Sequence, residues 1–547
     1  MKELNILLLI SIFNFYLLNC HWCGSDLIKK QPGRQMIINH DNKRKLSNEY
    51  TPLKIKFDTS ILMSQNVDNN FREKAIRMLN SVSISLSKLI SVRHEVIDTQ
   101  IIDSLKTYCE VSSIDYSVTS NWFNGYDLLI FPYVNESLPN NVLAAASPCY
   151  LSNTNRSIAG RILLNPNMDF NRLNDEVYMK NIFIHEITHI LGFNPFFFSN
   201  LKFLKEKEVD GEIISYISSP KLIEKAKIHF GCDNIDGIPV ENQGEAGTVG
   251  SHWETRYMLG EYMIGSDYSE VVISDITLAF LEDTGYYKVN YLTGGLFRFG
   301  KNQGCAFFKK KCLYNKGKST LFPNEFCYNK GEAFCSTSRI SKGNCYITKY
   351  NNPIEEKYRY FQDEKVGGLE SADYCPISFA NKNEDYYYPE NCKYGRFEYS
   401  GEKIGDNSIC FLSTISLLKK ESICYEIECN KKNNNFKVKI GNTEVTCPGT
   451  ETVLTNPSGL SGNLECPSYD LVCSSSIWCN DMFECIDKGS IAEANTYLYI
   501  SNQEALKQKD EQNMNQEDTE DELTQKQTNS SGGLMRIKSI LFCFLFL

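Results

Sequence analysis

The sequence has no long run of lysine or arginine, no internal repeat, and no apolar stretch long enough to cross a bilayer comfortably as a helix. Without a basic run, and with a formal net charge of -10, the chain offers no electrostatic footprint for nucleic acid. Without a repeat, stacked-unit architectures are excluded. Part of the negative charge is local, because residues 501–530 carry eight acids against three lysines. The remainder is only mildly acidic. Histidine is scarce, at seven residues in 547, so any histidine pattern stands out. A chain of this length exceeds what one hydrophobic core usually organises, and two or three packed units with appendages are expected.

Both ends carry short apolar segments. "MKELNILLLISIFNFYLLNC" has one lysine and then an apolar run, the layout of a secretory signal peptide cleaved near residue 20. At the other end, Ser530, Ser531, Gly532 and Gly533 precede an apolar tail, the layout of a GPI-attachment signal. Its uninterrupted part, Ile540 to Leu547, is too short to span a membrane. An anchored or secreted protein is expected at the cell surface or outside it.

Twenty-one cysteines on a secretory route imply a disulfide framework. Setting aside Cys20, Cys23 and Cys543 leaves eighteen, an even number, with fifteen of them between Cys305 and Cys485. Pairing cannot be deduced from sequence. Asn135-Glu-Ser and Asn155-Arg-Ser are glycosylation acceptors. Lys43-Arg44-Lys45 is either a processing site or a solvated basic cluster.

Periodicity places a strand at Leu53, Ile55 and Phe57, a helix over "FREKAIRMLNSVSISLSKLI" and a buried strand in "YDLLIFPYV". The clearest helix is "DEVYMKNIFIHEITHILGF", closed by Gly192. Two more are expected over 219–229 and 272–284. After "GYYKVNY" the composition turns to cysteine, tyrosine, asparagine and glycine, which reads as a second, disulfide-stapled unit. Residues beyond 500 are too poor in apolar side chains to fold alone and read as a flexible stalk.

Within that helix, H-E-x-x-H sets His185 and His189 on one face, with Glu186 beside the first. A catalytic zinc ion takes three protein ligands and leaves one position for water, which a neighbouring glutamate can deprotonate. The third ligand is missing from its nearest expected place. The compact metzincin pattern puts a histidine three residues after the glycine, and here that residue is Pro195. Either a glutamate further on, such as Glu206 or Glu208, completes the site, or an insertion separates the glycine from a distant histidine. Only His229 and His252 lie downstream. His229 has no partner feature and reads as a packed or surface residue. His252 is followed by Met263 just before a glycine, the form of a Met-turn that floors a zinc site with a thioether.

"HEITHILGF", "ENQGEAGTVGSHWETR", "GEYMIGS", "ITLAFLEDTGYY" and "NPSGLSGNLECPSYDLVC", in that order, make the chain resemble the leishmanolysin family of surface metalloproteases. The resemblance implies His185, His189 and His252 as ligands of one catalytic Zn2+, Glu186 as the base, and Met263 as the Met-turn methionine. It also implies a zymogen in which a pro-segment cysteine fills the zinc site; Cys23 in "HWCGSD" is the candidate. The implied fold is α+β, a metzincin-like catalytic domain with an insertion, followed by a disulfide-rich, mainly β or irregular domain. The expected boundaries are a signal peptide at 1–20, pro-segment at 21–48, HExxH subdomain at 49–195, and central subdomain at 196–295. A cysteine-rich domain at 296–500, a stalk at 501–530 and an attachment signal at 531–547 follow.

The function expected is a zinc endopeptidase acting on proteins or peptides, membrane-displayed or secreted, with a role in cell adhesion alongside, and with no nucleic-acid partner. The alternative is a surface adhesion or binding protein whose zinc centre is structural or idle.

Overall fold

The computed structural model describes residues 21–23, 49–95, 102–115, 125–139, 142–166, 176–209, 212–243, 248–266, 268, 270–293, 297–380, 390–395, 399–473 and 482–491. The expectations for residues 1–20, for all but the first three residues of 21–48, and for 501–547 lie outside the described residues. The elements below all belong to one unit that ends at Ser490.

Strands β1 (His21–Cys23), β2 (Ile55–Phe57), β3 (Leu128–Val134), β4 (Val142–Leu151) and β5 (Ser157–Leu164) form a sheet in the order β1-β4-β5-β3-β2. β2, β3 and β5 run parallel, β4 is antiparallel to β5, and β1 is parallel to β4. β3 shows why a continuous apolar run suits this position. Leu128 and Ile130 enter the main core, whereas Leu129 and Phe131 face a second cluster with Cys109, Cys149 and Ile158. Both faces are covered, so the strand has no polar alternation.

Two helices cover the main-core face. α1 (Asn69–Leu89) is capped by Asp68, which accepts from Phe71 N–H, and buries Phe71, Ala75, Met78, Leu79, Val82 and Leu86 at helical spacing. α2 (Glu176–Leu191) packs against α1, β4 and β5. It is buried nearly all round, from Tyr178 to Leu191. A helix of that kind belongs inside a core, and the His-Glu-His group is carried there with it.

α2 stops at Gly192, whose φ of 135° an L-residue rarely adopts. The chain then starts α3 (Pro195–Asn200), with Pro195 in the first turn and the Asn194 side chain accepting from Phe197 N–H. A hairpin of β6 (Leu204–Val209) and β7 (Glu212–Ile217) follows, then α4 (Pro220–Phe230). α5 (Asp275–Asp283) packs on α4. Ser219 Oγ and the backbone N–H groups of Lys221 and Leu222 all donate to the Asp283 carboxylate, so α5 supplies the acceptor for the exposed start of α4.

The architecture is mixed α+β with a disulfide-rich, β-rich C-terminal part. The main core continues past residue 296 through Phe297, Phe299, Phe307, Phe322, Phe326 and Ile377. A separate core lies under the six strands between Ser408 and Cys466. Eight bridges are described: Cys109–Cys149, Cys232–Cys305, Cys312–Cys375, Cys327–Cys345, Cys335–Cys410, Cys392–Cys424, Cys429–Cys473 and Cys447–Cys466. Cys485 is also disulfide-bonded.

Candidate metal centre

His185 and His189 lie one turn apart on α2, and their Nε2 atoms are 3.1 Å apart. His252, brought back by the chain after the α4 segment, sets its Nε2 3.2 Å from that of His185. All three rings are fully buried. Among the described residues these three form the one group of histidine, cysteine or carboxylate side chains close enough to share a metal.

The other ring nitrogens explain how the cluster is oriented. His185 Nδ1–H donates to the Tyr262 carbonyl at 2.6 Å and His189 Nδ1–H to the Phe193 carbonyl at 2.6 Å. His252 Nδ1–H donates to the Thr248 carbonyl at 2.9 Å. A carbonyl can only accept, so these contacts assign the proton to Nδ1 in each ring and leave the Nε2 lone pairs facing one another. Burial pushes the His185 imidazole down to about 3, with His252 adding to the effect and the Tyr262 carbonyl opposing it. Three converging lone pairs in a dry site repel unless a cation lies between them. Three neutral imidazoles are a donor set that zinc accepts, with room in its coordination for one further ligand.

Glu186, also fully buried, follows His185 on α2. Met263 is buried in the turn whose preceding carbonyl, that of Tyr262, holds His185. Gly265 closes in behind it: a Cβ there would lie 2.3 Å from Thr248 Cγ2 and 3.3 Å from His252 Cγ. The turn can therefore approach His252 only with glycine at 265. Cys23 belongs to β1, which pairs with the edge of β4, and its side chain lies outside the described residues.

The other candidates fall elsewhere. Glu206 and Glu208 are exposed on β6. His229 donates to the Phe299 carbonyl at 2.8 Å and stacks on Phe297, a packed histidine.

Three other buried acids near the site, Glu241, Glu254 and Glu261, were not found by sequence reasoning. Glu241 and Glu254 flank His252, and Glu241 N–H donates to the His252 carbonyl at 2.9 Å. Burial pushes Glu241 up to about 8 and Glu254 well above the usual carboxylate range. Glu261 sits beside Tyr262 and is pushed by burial to about 7, against the pull of donors from Thr277, Met263 and Ser274. The available signal was an acid two residues before a buried methionine, in "GEYMIGS".

The sequence profile of the leishmanolysin peptidases matches residues 66–479. The chain is 30% identical to a leishmanolysin homolog of Crithidia fasciculata over 61% of its own length and 53% of the relative's. It is 25% identical to leishmanolysin of Leishmania major over 69% of its length and 64% of that protein's. A leishmanolysin-like peptidase of Caenorhabditis elegans is 34% identical over 37% of the chain and 35% of its own length. The matches to the first two thus span between half and two thirds of each relative.

Proposed function

The chain belongs to the leishmanolysin family of peptidases, and from that premise we propose that it is a zinc-dependent endopeptidase acting on protein or peptide substrates. The observation that carries this reading is the convergence of the His185, His189 and His252 Nε2 atoms in a buried site with Glu186 adjacent in sequence. The three histidines would hold one Zn2+. When bound, the ion supplies Lewis-acid polarisation of the scissile carbonyl and acidifies a water molecule.

The chain's own residues do the rest. Glu186 takes the proton from the attacking water and returns it to the departing amine nitrogen. The backbone carbonyls of Tyr262, Phe193 and Thr248 hold the rings in the tautomer that a metal needs. In this reading the fold is metzincin-like, an insertion separates Gly192 from the third ligand, His252, and Met263 is the methionine beneath the site.

The zymogen reading draws support from β1. His21–Cys23 adds to the edge of β4, a strand that packs on the metal-site helix. A segment lying there would compete with an extended substrate for the same edge, with Cys23 as the candidate metal-blocking thiol. Surface display through the C-terminal segment belongs to the same proposal.

The test is cleavage of a denatured protein by the purified chain from about residue 46 to 500, with bound zinc quantified. Cleavage that stops on chelation and returns with zinc supports the reading. Zinc bound with no cleavage would favour a binding protein with an idle centre.

A further inference from the structure

Glu261 precedes Tyr262, whose carbonyl holds His185, and its side chain is wholly buried. Oε2 accepts from Met263 N–H at 2.6 Å. Oε1 accepts from Thr277 Oγ1–H at 2.6 Å, Ser274 Oγ–H at 3.0 Å and Ser274 N–H at 3.2 Å. The Met263 carbonyl in turn accepts from Trp253 N–H at 3.0 Å, and the Trp253 indole N–H donates to Thr277 Oγ1 at 2.8 Å. These bonds close a ring: Glu261 to Met263, Met263 to Trp253, Trp253 to Thr277, and Thr277 back to Glu261.

Two parts of that ring adjoin different parts of the metal centre. Tyr262, between Glu261 and Met263, aims its carbonyl at His185; Trp253 is the residue after His252. The two histidines come from segments 67 residues apart, and the ring ties those segments together. Only a carboxylate satisfies it, because donors approach both oxygens. A glutamine would turn an NH2 group toward one of them.

We propose that Glu261 is a positioning residue of the metal centre: by joining Met263 to Thr277 and hence to Trp253, it fixes the relative orientation of His185 and His252. The inference rests on the zinc site proposed above. Outer hydrogen-bond partners of this kind change metal affinity by about 10- to 100-fold when removed.

The experiment measures the zinc dissociation constant of the full chain by competition with a chelator, alongside the metal-free unfolding midpoint. The variants are Glu261→Gln, Trp253→Phe, which removes one donor and keeps a ring, and Glu402→Gln. Glu402 is a buried carboxylate of the C-terminal part, bound by Cys424 N–H and Lys342. Expected are a zinc affinity weaker by about 10- to 100-fold in Glu261→Gln, a smaller weakening in Trp253→Phe, and wild-type affinity in Glu402→Gln despite its lower midpoint. Wild-type affinity in Glu261→Gln and Trp253→Phe would overturn the inference, as would equal weakening in Glu402→Gln. If Glu261→Gln does not fold, wild-type affinity in Trp253→Phe overturns it. Failure of the wild-type chain to bind zinc would remove the metal centre itself, an outcome distinct from equal affinity among the variants.

Discussion

Gly160 of β5 and Ile190 of α2 are so close that a Cβ on residue 160 would lie 2.4 Å from Ile190 Cγ2 and 2.8 Å from Cδ1. The helix that carries His185 and His189 therefore rests on the sheet at a depth set by a missing methyl group. Gly160→Ala should push α2 outward and destabilise the protein by about 1–3 kcal/mol, the usual cost of overpacking. Denaturant unfolding checks the first effect, and zinc affinity checks whether the displacement reaches His189.

Glu186→Ala should retain zinc and lose between about a hundredfold and ten-thousandfold in kcat/KM, the range for a positioned acid-base group. Metal content and peptide cleavage measured on the same preparation test this. Full activity in the variant would remove Glu186 from the reaction.

His252→Ala should lose zinc binding, while Glu206→Ala and Glu208→Ala should keep it, because the two glutamates are exposed on β6 and His252 lies within 3.2 Å of His185. Metal analysis of the three variants decides between them.

Glu325 makes stability depend on pH. Its Oε2 is buried with no hydrogen-bond partner, and burial pushes the carboxyl up to about 8, with Arg339 opposing and Glu451 reinforcing the shift. Between the unfolded value of 4.5 and about 8, the folded chain holds a proton that the unfolded chain has released. This contribution to stability is therefore lost as pH rises through that window, at up to about 1.4 kcal/mol per pH unit. Glu325→Gln should match the wild type at pH 4 and gain on it steadily toward pH 8. Unfolding midpoints across that range test the slope, and a constant difference would contradict it.

The elements of the first half were legible because their apolar positions repeat at 2 or 3.6 residues: Leu53 to Phe57, the helix after Phe71, and the helix bearing His185 and His189. The third histidine was not legible from its distance to His189. Met263 just before a glycine set His252 apart from His229, and the resemblance then implied it as a ligand. What stayed hidden was how a long intervening segment brings the chain back to His185. Disulfide pairing was hidden for the same reason. Glu241, Glu254 and Glu261 were missed because an acid bound by backbone donors inside a core has the same letter as one on the surface. The compositional change near residue 296 was plain, yet Phe299 and Phe307 pack into the same core as Phe280. Composition reports cross-links and turns more directly than it reports which apolar residues touch.

The segment between His189 and His252 is a loop closed at both ends. Asn194 Nδ2 ties the departing chain to the His189 carbonyl, and Glu241 N–H ties the returning chain to that of His252. With the ends pinned, the entropy of closing such a loop grows only logarithmically, by about 0.6 kcal/mol for each doubling of its length. The exposed far end of the β6–β7 hairpin, around Lys207–Val209 and Ile213, could therefore be lengthened or exchanged at little thermodynamic cost to the histidine cluster, whereas its base is held by Ile217 in the main core and by pairing with Ile238 and Pro239. That far end is the natural place to graft a new surface onto the protein.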